Sequence, residues 1–475
     1  MASLSTPLKS AFVFSYGLLT MAMYALIAIS AGIFFKNTTE KETVELQLAR
    51  NRLWNLSKKW SAFSHQIFTL QNGFKFHYVC NDPDTTPGAK KPLVIFIHGF
   101  PDSWAIWRHI INAESLQSTA TVVAVDLPGY GGSESLDRYS ATTVLENLTE
   151  FIIAMRSKYG IDSAADTHQQ RTIIVGHDWG CVISMRLATD APQLADRFIL
   201  TNGPLIPLVK SNANRLLSSS LKMFKAFLRS PIRSRALLVN AAKTLMPILD
   251  QMKSSGYVFS FQLPRGFVEY LGTGGNRAFL KLCHKVSYGS QEFTPTDAAE
   301  CMASTLGPSV HEGENRTTNG EGYAESVVRK RALSNFFEMC SYYRDGTAFS
   351  RWNKSVETIT ALHNITQEHG PRDAGSGAGI FNDGPKGSLK ASATILWGKK
   401  DNALTVPLCL DGIADYLGQD SQVIELPGSG HFTPLERGSR IALSKAVEWA
   451  VKGEREDIGA VMEACYPKAT VIVRK

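Results

Sequence analysis

The chain contains no Gly-x-Ser-x-Gly and no Cys-x-x-Cys. The first absence removes the serine form of the nucleophile elbow, and the second removes paired-thiol metal and redox motifs. Cysteine is sparse: seven residues, Cys80, Cys181, Cys283, Cys301, Cys340, Cys409 and Cys465, odd in number and irregular in spacing. A disulfide framework is therefore not expected, and no metal ligand set stands out. The net charge of +7 over 475 residues is mild, and no basic motif interleaved with aromatics occurs. Nucleic acid is not an expected partner. There is no internal repeat. Charge is missing altogether from Ala11 to Phe35.

That uncharged run is also apolar, and as a helix rising about 1.5 Å per residue it could cross a hydrocarbon core of about 30 Å. It exceeds the apolar core of a cleaved signal peptide, about 7–15 residues, so a retained single-pass anchor is expected over residues 1–36. Membrane lipid is then a partner, with the endoplasmic reticulum as the expected membrane. Lys9 precedes the span, and Lys36, Lys41, Arg50 and Arg52 follow it, which by the positive-inside rule puts the body in the cytosol. Sequons at Asn37-Thr38-Thr39 and Asn55-Leu56-Ser57 would matter only in the lumen, so the side stays open.

The remaining composition, 44% hydrophobic and 20% charged overall, is that of a globular protein, and its length exceeds one domain of ordinary size. A polar juxtamembrane helix and linker is expected over 37–63. Apolar runs at Ile67–Leu70 and Phe74–Val79 flank Asn72-Gly73, a hairpin signal. Buried strands are expected at Leu93–Ile97, Thr121–Val125, Thr172–Val175 and Phe198–Leu200. Helical patterns lie between them near Ala105–Ser115, Ala141–Lys158 and Gly180–Thr189. This alternation implies a parallel sheet. It stops near Pro204 and resumes at Ala393–Trp397 and Val423–Leu426. The expected plan is a sheet core over 64–204 and 391–475, interrupted by a helical lid over 205–350 and a flexible connection over 351–390. Residues 305–325 and 366–390 read as flexible surface insertions. Between Pro204 and Lys253 stand nine Lys and Arg residues and one acid, Asp250. Such a segment is either a solvated face or a surface for anionic lipid.

The strand Thr172–Val175 runs into Gly176-His177-Asp178-Trp179-Gly180. Small–x–nucleophile–x–small is the nucleophile elbow, here with a carboxylate at its apex; an N-capping Asp on an ordinary connection is the bland alternative. Leu93–Ile97 leads to His98-Gly99-Phe100-Pro101, where the backbone N–H of Phe100, with that of Trp179, can form an oxyanion hole. Asp401 follows another strand, and His431 stands in Gly428-Ser429-Gly430-His431-Phe432 after the last. Nucleophile, acid and histidine thus occur in the chain order of an α/β-hydrolase.

Over residues 64–452 the chain resembles the epoxide hydrolase branch of the α/β-hydrolases. The resemblance rests on His98–Pro101, Gly176–Gly180, the Asp401 turn, Ser429–Phe432 and the glycine-rich turn Asp126–Ser133. It implies two lid tyrosines as acids toward an epoxide oxygen. Tyr257 matches the first, and Tyr343, with Tyr342 as its rival, the second. It further implies Asp178 as nucleophile, His431 as base oriented by Asp401, a pocket including Pro101, Trp179 and Phe261, a lipophilic epoxide as substrate, and no cofactor. Two other functions compete. A haloalkane or haloacid dehalogenase also uses an Asp nucleophile, although Phe100 offers no side-chain donor to a halide. A non-catalytic membrane-anchored binding protein would have less reason to retain all three triad members.

Overall fold

A computed structural model describes residues 6–82, 91–161, 171–368 and 384–475. Helix α1 (Thr6–Ser30) and helix α2 (Glu40–Trp54) precede the sheet. Helix α2 starts at a capping box: the Thr39 hydroxyl accepts from Glu42 N, and the Glu42 carboxylate accepts from Thr39 N. It is no loose linker. Its last residues are buried, and the Trp54 indole donates to the Ala303 carbonyl at 2.8 Å.

Among the described residues nine strands form one sheet: β1 (Ser64–Thr69), β2 (Lys75–Cys80), β3 (Leu93–Ile97), β4 (Thr121–Val125), β5 (Thr172–His177), β6 (Arg197–Thr201), β7 (Ala393–Gly398), β8 (Gln422–Leu426) and β9 (Thr470–Arg474). Their spatial order is β1-β2-β4-β3-β5-β6-β7-β8-β9. Strands β3 to β8 are mutually parallel, while β1, β2 and β9 add antiparallel edges. The central strands are almost wholly Val, Ile, Leu and Ala because helices cover both faces of the sheet. Among these, α3 (Ala141–Lys158) is capped by Ser140, and α4 (Trp179–Asp190) begins directly after the β5 turn.

Between β6 and β7 the chain leaves the sheet. It forms a helical block of α5 (Ile206–Arg229), α6 (Arg235–Ser254), α7 (Gly256–Ser260), α8 (Arg265–Ser287), α9 (Pro295–Leu306) and α10 (Phe336–Arg344), and a further helix, Val356–Glu368, occupies part of the stretch expected as a flexible connection. The stretch 305–325 is tied down rather than loose. Glu312 is buried, and the Tyr323 hydroxyl donates to the Trp54 carbonyl at 2.8 Å. Of the glycine-rich stretch 366–390, residues 369–383 lie outside the described residues. Helix α11 (Arg437–Val451) returns to cover the sheet.

Strand register decides where chemistry can occur. Ile97 pairs with Gly176, His177 with Thr201, and Gly398 with Leu426, so the carboxyl ends of β3, β5, β6, β7 and β8 come out along one edge. In open α/β sheets, ligands bind at that edge.

Candidate active site

Asp178 sits at the tip of the β5–α4 turn with φ 51° and ψ −116°. A non-glycine residue rarely holds that backbone, and turns at functional sites are where such strain is retained. Its neighbours must be small. A Cβ on Gly180 would collide with the Ile97 carbonyl oxygen, and one on Gly99 would collide with the Asp178 carboxylate. The β3 loop therefore presses directly on the elbow. There the Phe100 N–H donates to Asp178 Oδ1 at 2.7 Å. The following Phe100–Pro101 peptide bond is cis, and Pro101 is buried beside it. The Trp179 N–H lies against the same Gly99 position.

Behind the carboxylate stands His431, with Nε2 3.5 Å from Asp178 Oδ2. Its Nδ1 lies 2.8 Å from Asp401 Oδ2. Asp401 Oδ1 accepts the N–H groups of Ala403 and Leu404 at 2.7 and 2.9 Å. Burial opposes the imidazolium, but the Asp401 and Asp178 carboxylates outweigh it and push His431 up to about 10.

The lid closes the site from above with aromatic rings. Tyr343 stands edge-on to Trp179 at 4.8 Å and to Phe100 at 5.8 Å. Tyr257 is 6.3 Å from Tyr343, and Phe261 packs between them at 5.4 and 5.1 Å. Burial, then the negative charge of Asp178, holds both tyrosines well above the usual phenol range. They are hydrogen-bond donors at any ordinary pH. Tyr342 faces elsewhere: its hydroxyl donates to the Pro128 carbonyl at 3.0 Å, and it is fully buried.

Sequence reading did not find Asn202. It follows β6 in the left-handed region at φ 44° and donates Nδ2–H to Asp401 Oδ2 at 2.7 Å. Its Oδ1 accepts from the Thr433 hydroxyl at 2.6 Å. Sequence reading also missed Phe336, 5.8 Å from both Phe100 and Phe261. An asparagine at a strand's carboxyl end before Gly203 was the available signal for the first. Among the described residues no group of three or more His, Cys, Asp and Glu side chains could hold a metal ion.

The site brings together a carboxylate on a strained turn, a histidine–aspartate pair, backbone N–H groups and two phenols under one lid. The alpha/beta hydrolase fold family model matches residues 92–234, which include the elbow and the start of the lid. Epoxide hydrolase 3 of Mus musculus is 28% identical over 142 residues, 29% of this chain and 34% of that protein. Bifunctional epoxide hydrolase 2 of Sus scrofa is 31% identical over 157 residues, 32% of this chain and 24% of that protein. The matches thus span about a third or less of these relatives' length. The solved Cif epoxide hydrolase from Acinetobacter nosocomialis aligns with 89% of this chain and 98% of its own, at 16% identity and a TM-score of 0.50. With the strand order and the elbow geometry, these likenesses identify the chain as an α/β-hydrolase-fold protein whose curated relatives bear the name epoxide hydrolase.

Proposed function

We propose that the chain hydrolyses a lipophilic epoxide to a vicinal diol through an ester on Asp178. The observation that carries this reading is the nature of the elbow residue and what faces it. A carboxylate stands where a hydroxyl or thiol is usual, and two phenols kept protonated by burial close over it. Phenols suit an oxygen leaving group. An epoxide C–O bond breaks readily only when its oxygen receives a proton or a hydrogen bond, and Tyr257 and Tyr343 would supply it. Asp178 attacks the ring carbon from the opposite side, the C–O bond opens, and the oxygen takes a phenol proton.

The second half uses the histidine. Ester formation discharges Asp178 and so removes one of the two carboxylates that raise His431. The imidazole, still oriented by Asp401, becomes a better-matched base for water. Hydroxide adds to the ester carbonyl, the Phe100 and Trp179 N–H groups hold the oxyanion, and its collapse releases the diol. The leaving alkoxide takes the proton of the added hydroxyl, the restored Asp178 carboxylate keeps one oxygen from water, and the proton that His431 took from water returns through solvent to the phenolate.

Single turnover in heavy-oxygen water, with a panel of lipid and aryl epoxides, tests the reading. Label should enter the peptide containing Asp178. Diol formed without label in that peptide would sink the ester mechanism. Halide release from haloalkanes, with no epoxide opened, would instead support a dehalogenase. The names of the curated relatives support the epoxide reading. Membrane attachment through the apolar helix Pro7–Ser30, expected at the endoplasmic reticulum, accompanies it. A single crossing is one seating of that helix, and a helix lying along the membrane surface is the other.

A further inference from the structure

Helix α1 has two unlike faces. Its inner face is fitted to the lid. A Cβ at Gly17 would stand 2.6 Å from the Phe259 carbonyl oxygen, and one at Gly256 would stand 2.8 Å from the Thr20 methyl carbon. These paired notches bring the helix close enough for the buried Thr20 and Ser260 hydroxyls to meet at 2.7 Å. Nearer its start, the Tyr16 hydroxyl donates to the Met252 carbonyl at 3.1 Å. Beyond its end, Phe34 covers Gly275, and Asn276 donates to the Lys36 carbonyl at 3.0 Å. There α8 breaks its helical path, with Gly275, Asn276 and Arg277 all in the left-handed region. The docking runs from Phe12, edge-on to Phe259 at 6.2 Å, to Lys36 beyond the end of α1.

The outer face is bare. Leu8, Leu19, Leu26 and Ile29 are 42–66% exposed. A patch this long and this apolar, on a helix with no charge between Ala11 and Phe35, is a surface that something covers. The neighbouring helix pair says what. At Tyr16 the helix meets the end of α6, and the α5–α6 pair exposes Leu221, Phe224, Leu228, Val239 and Leu249. Nine cations and one acid accompany these residues between Pro204 and Lys253. Apolar groups beside cations complement an anionic lipid surface.

A docked α1 cannot also cross a bilayer. Crossing would put Lys9 and Lys36 on opposite sides of about 30 Å of hydrocarbon. Since Tyr270, Leu271, Ala278 and Phe279 of α8 lie against Met21, Tyr24 and Ala28 of α1, the neighbouring charges of Glu269 and Arg277 would be drawn in as well, and hydrocarbon rejects charge. We propose that α1 is a lid helix lying in the plane of an anionic bilayer. Its outer face is in lipid, and its inner face covers α7, the segment that carries Tyr257. The proposal deepens the membrane part of the reading above, and its test uses no catalysis, so it can fail while the epoxide reading stands.

The full chain is bound to sealed phosphatidylcholine–phosphatidylserine vesicles. In a Thr20→Cys/Ser260→Cys variant, a short thiol cross-linker should join positions 20 and 260, with the linked peptides identified by mass spectrometry. Adding Gly17→Leu should abolish that link. Single Lys9→Cys and Lys36→Cys variants should both react with an impermeant maleimide added outside, at equal extent and without opening the vesicles. Absence of the 20–260 link in bound protein, or labelling of one position only after the vesicles are opened, would overturn the proposal in favour of a crossing helix. Protein that stays in the supernatant, or that is linked copy to copy through α1, would overturn it in favour of a protein partner.

Discussion

Asn202 donates to the same carboxylate oxygen of Asp401 that faces His431, at 2.7 Å against 2.8 Å. The residues are 199 positions apart in sequence, yet this amide and the N–H groups of Ala403 and Leu404 hold the carboxylate against the imidazole. Asn202→Ala should remove a hydrogen bond to a charged group worth about 1.5–3 kcal/mol. If that loss falls on the second half-reaction, ester hydrolysis slows about 10- to 100-fold. Stopped-flow measurement should show ester formation nearly unchanged. Equal slowing of both steps would mean that Asn202 supports the fold rather than the base.

His431→Gln separates the half-reactions more sharply. The glutamine cannot take a proton from water, so ester hydrolysis should fall about 10²- to 10⁴-fold, the usual share of a positioned base. Asp178 remains able to attack, and intact-protein mass spectrometry should find substrate mass added to the chain. A variant that neither turns over nor carries an adduct would remove His431 from the second step.

The sheet and the elbow were legible because their physics is local. Strands buried on both faces must be apolar throughout, and a turn as tight as Gly176–Gly180 admits only small flanks. What was illegible depends on distant contacts. An apolar run reads the same whether it faces lipid or, like the inner face of α1, a protein surface. Residues 305–325 look loop-like in composition, but Tyr323 anchors them through one bond to Trp54. Strand β9 alternates half-buried and exposed residues at a sheet edge and gives no buried-strand signal. Tyr342 and Tyr343 are adjacent on a helix, so about 100° of rotation separates them, and the sequence does not give the helix phase.

That phase yields a test of the lid. Tyr257→Phe and Tyr343→Phe should each slow ester formation about 10²-fold or more through loss of a proton donor. Tyr342→Phe should leave ester formation within a few-fold. It should cost about 1 kcal/mol of stability instead, because its hydroxyl satisfies the buried Pro128 carbonyl. Urea unfolding and single-turnover rates on the three variants distinguish the roles. A slow Tyr342→Phe beside a fast Tyr343→Phe would exchange the assignments.

The charges on Asp401 and Asp178 together set the pH behaviour of His431. In the resting protein the imidazole is pushed up to about 10, from an ordinary value of 6.5, by two carboxylates acting against burial. A group whose pKa is higher folded than unfolded stabilises the fold fully below the unfolded value, and that contribution is lost as pH rises through the folded value. Here the window runs from about 6.5 to about 10. Asp178→Asn keeps the side-chain shape but removes one charge, as ester formation does. It should therefore lower the His431 pKa and move the loss of stability to lower pH. NMR titration of the His431 ring should show the shift directly. Thermal unfolding should show the parent losing stability between pH 7 and pH 10, and the variant losing it over a lower range of pH. An unchanged His431 titration in Asp178→Asn would mean that Asp401 alone holds the proton, and that ester formation does not release the base.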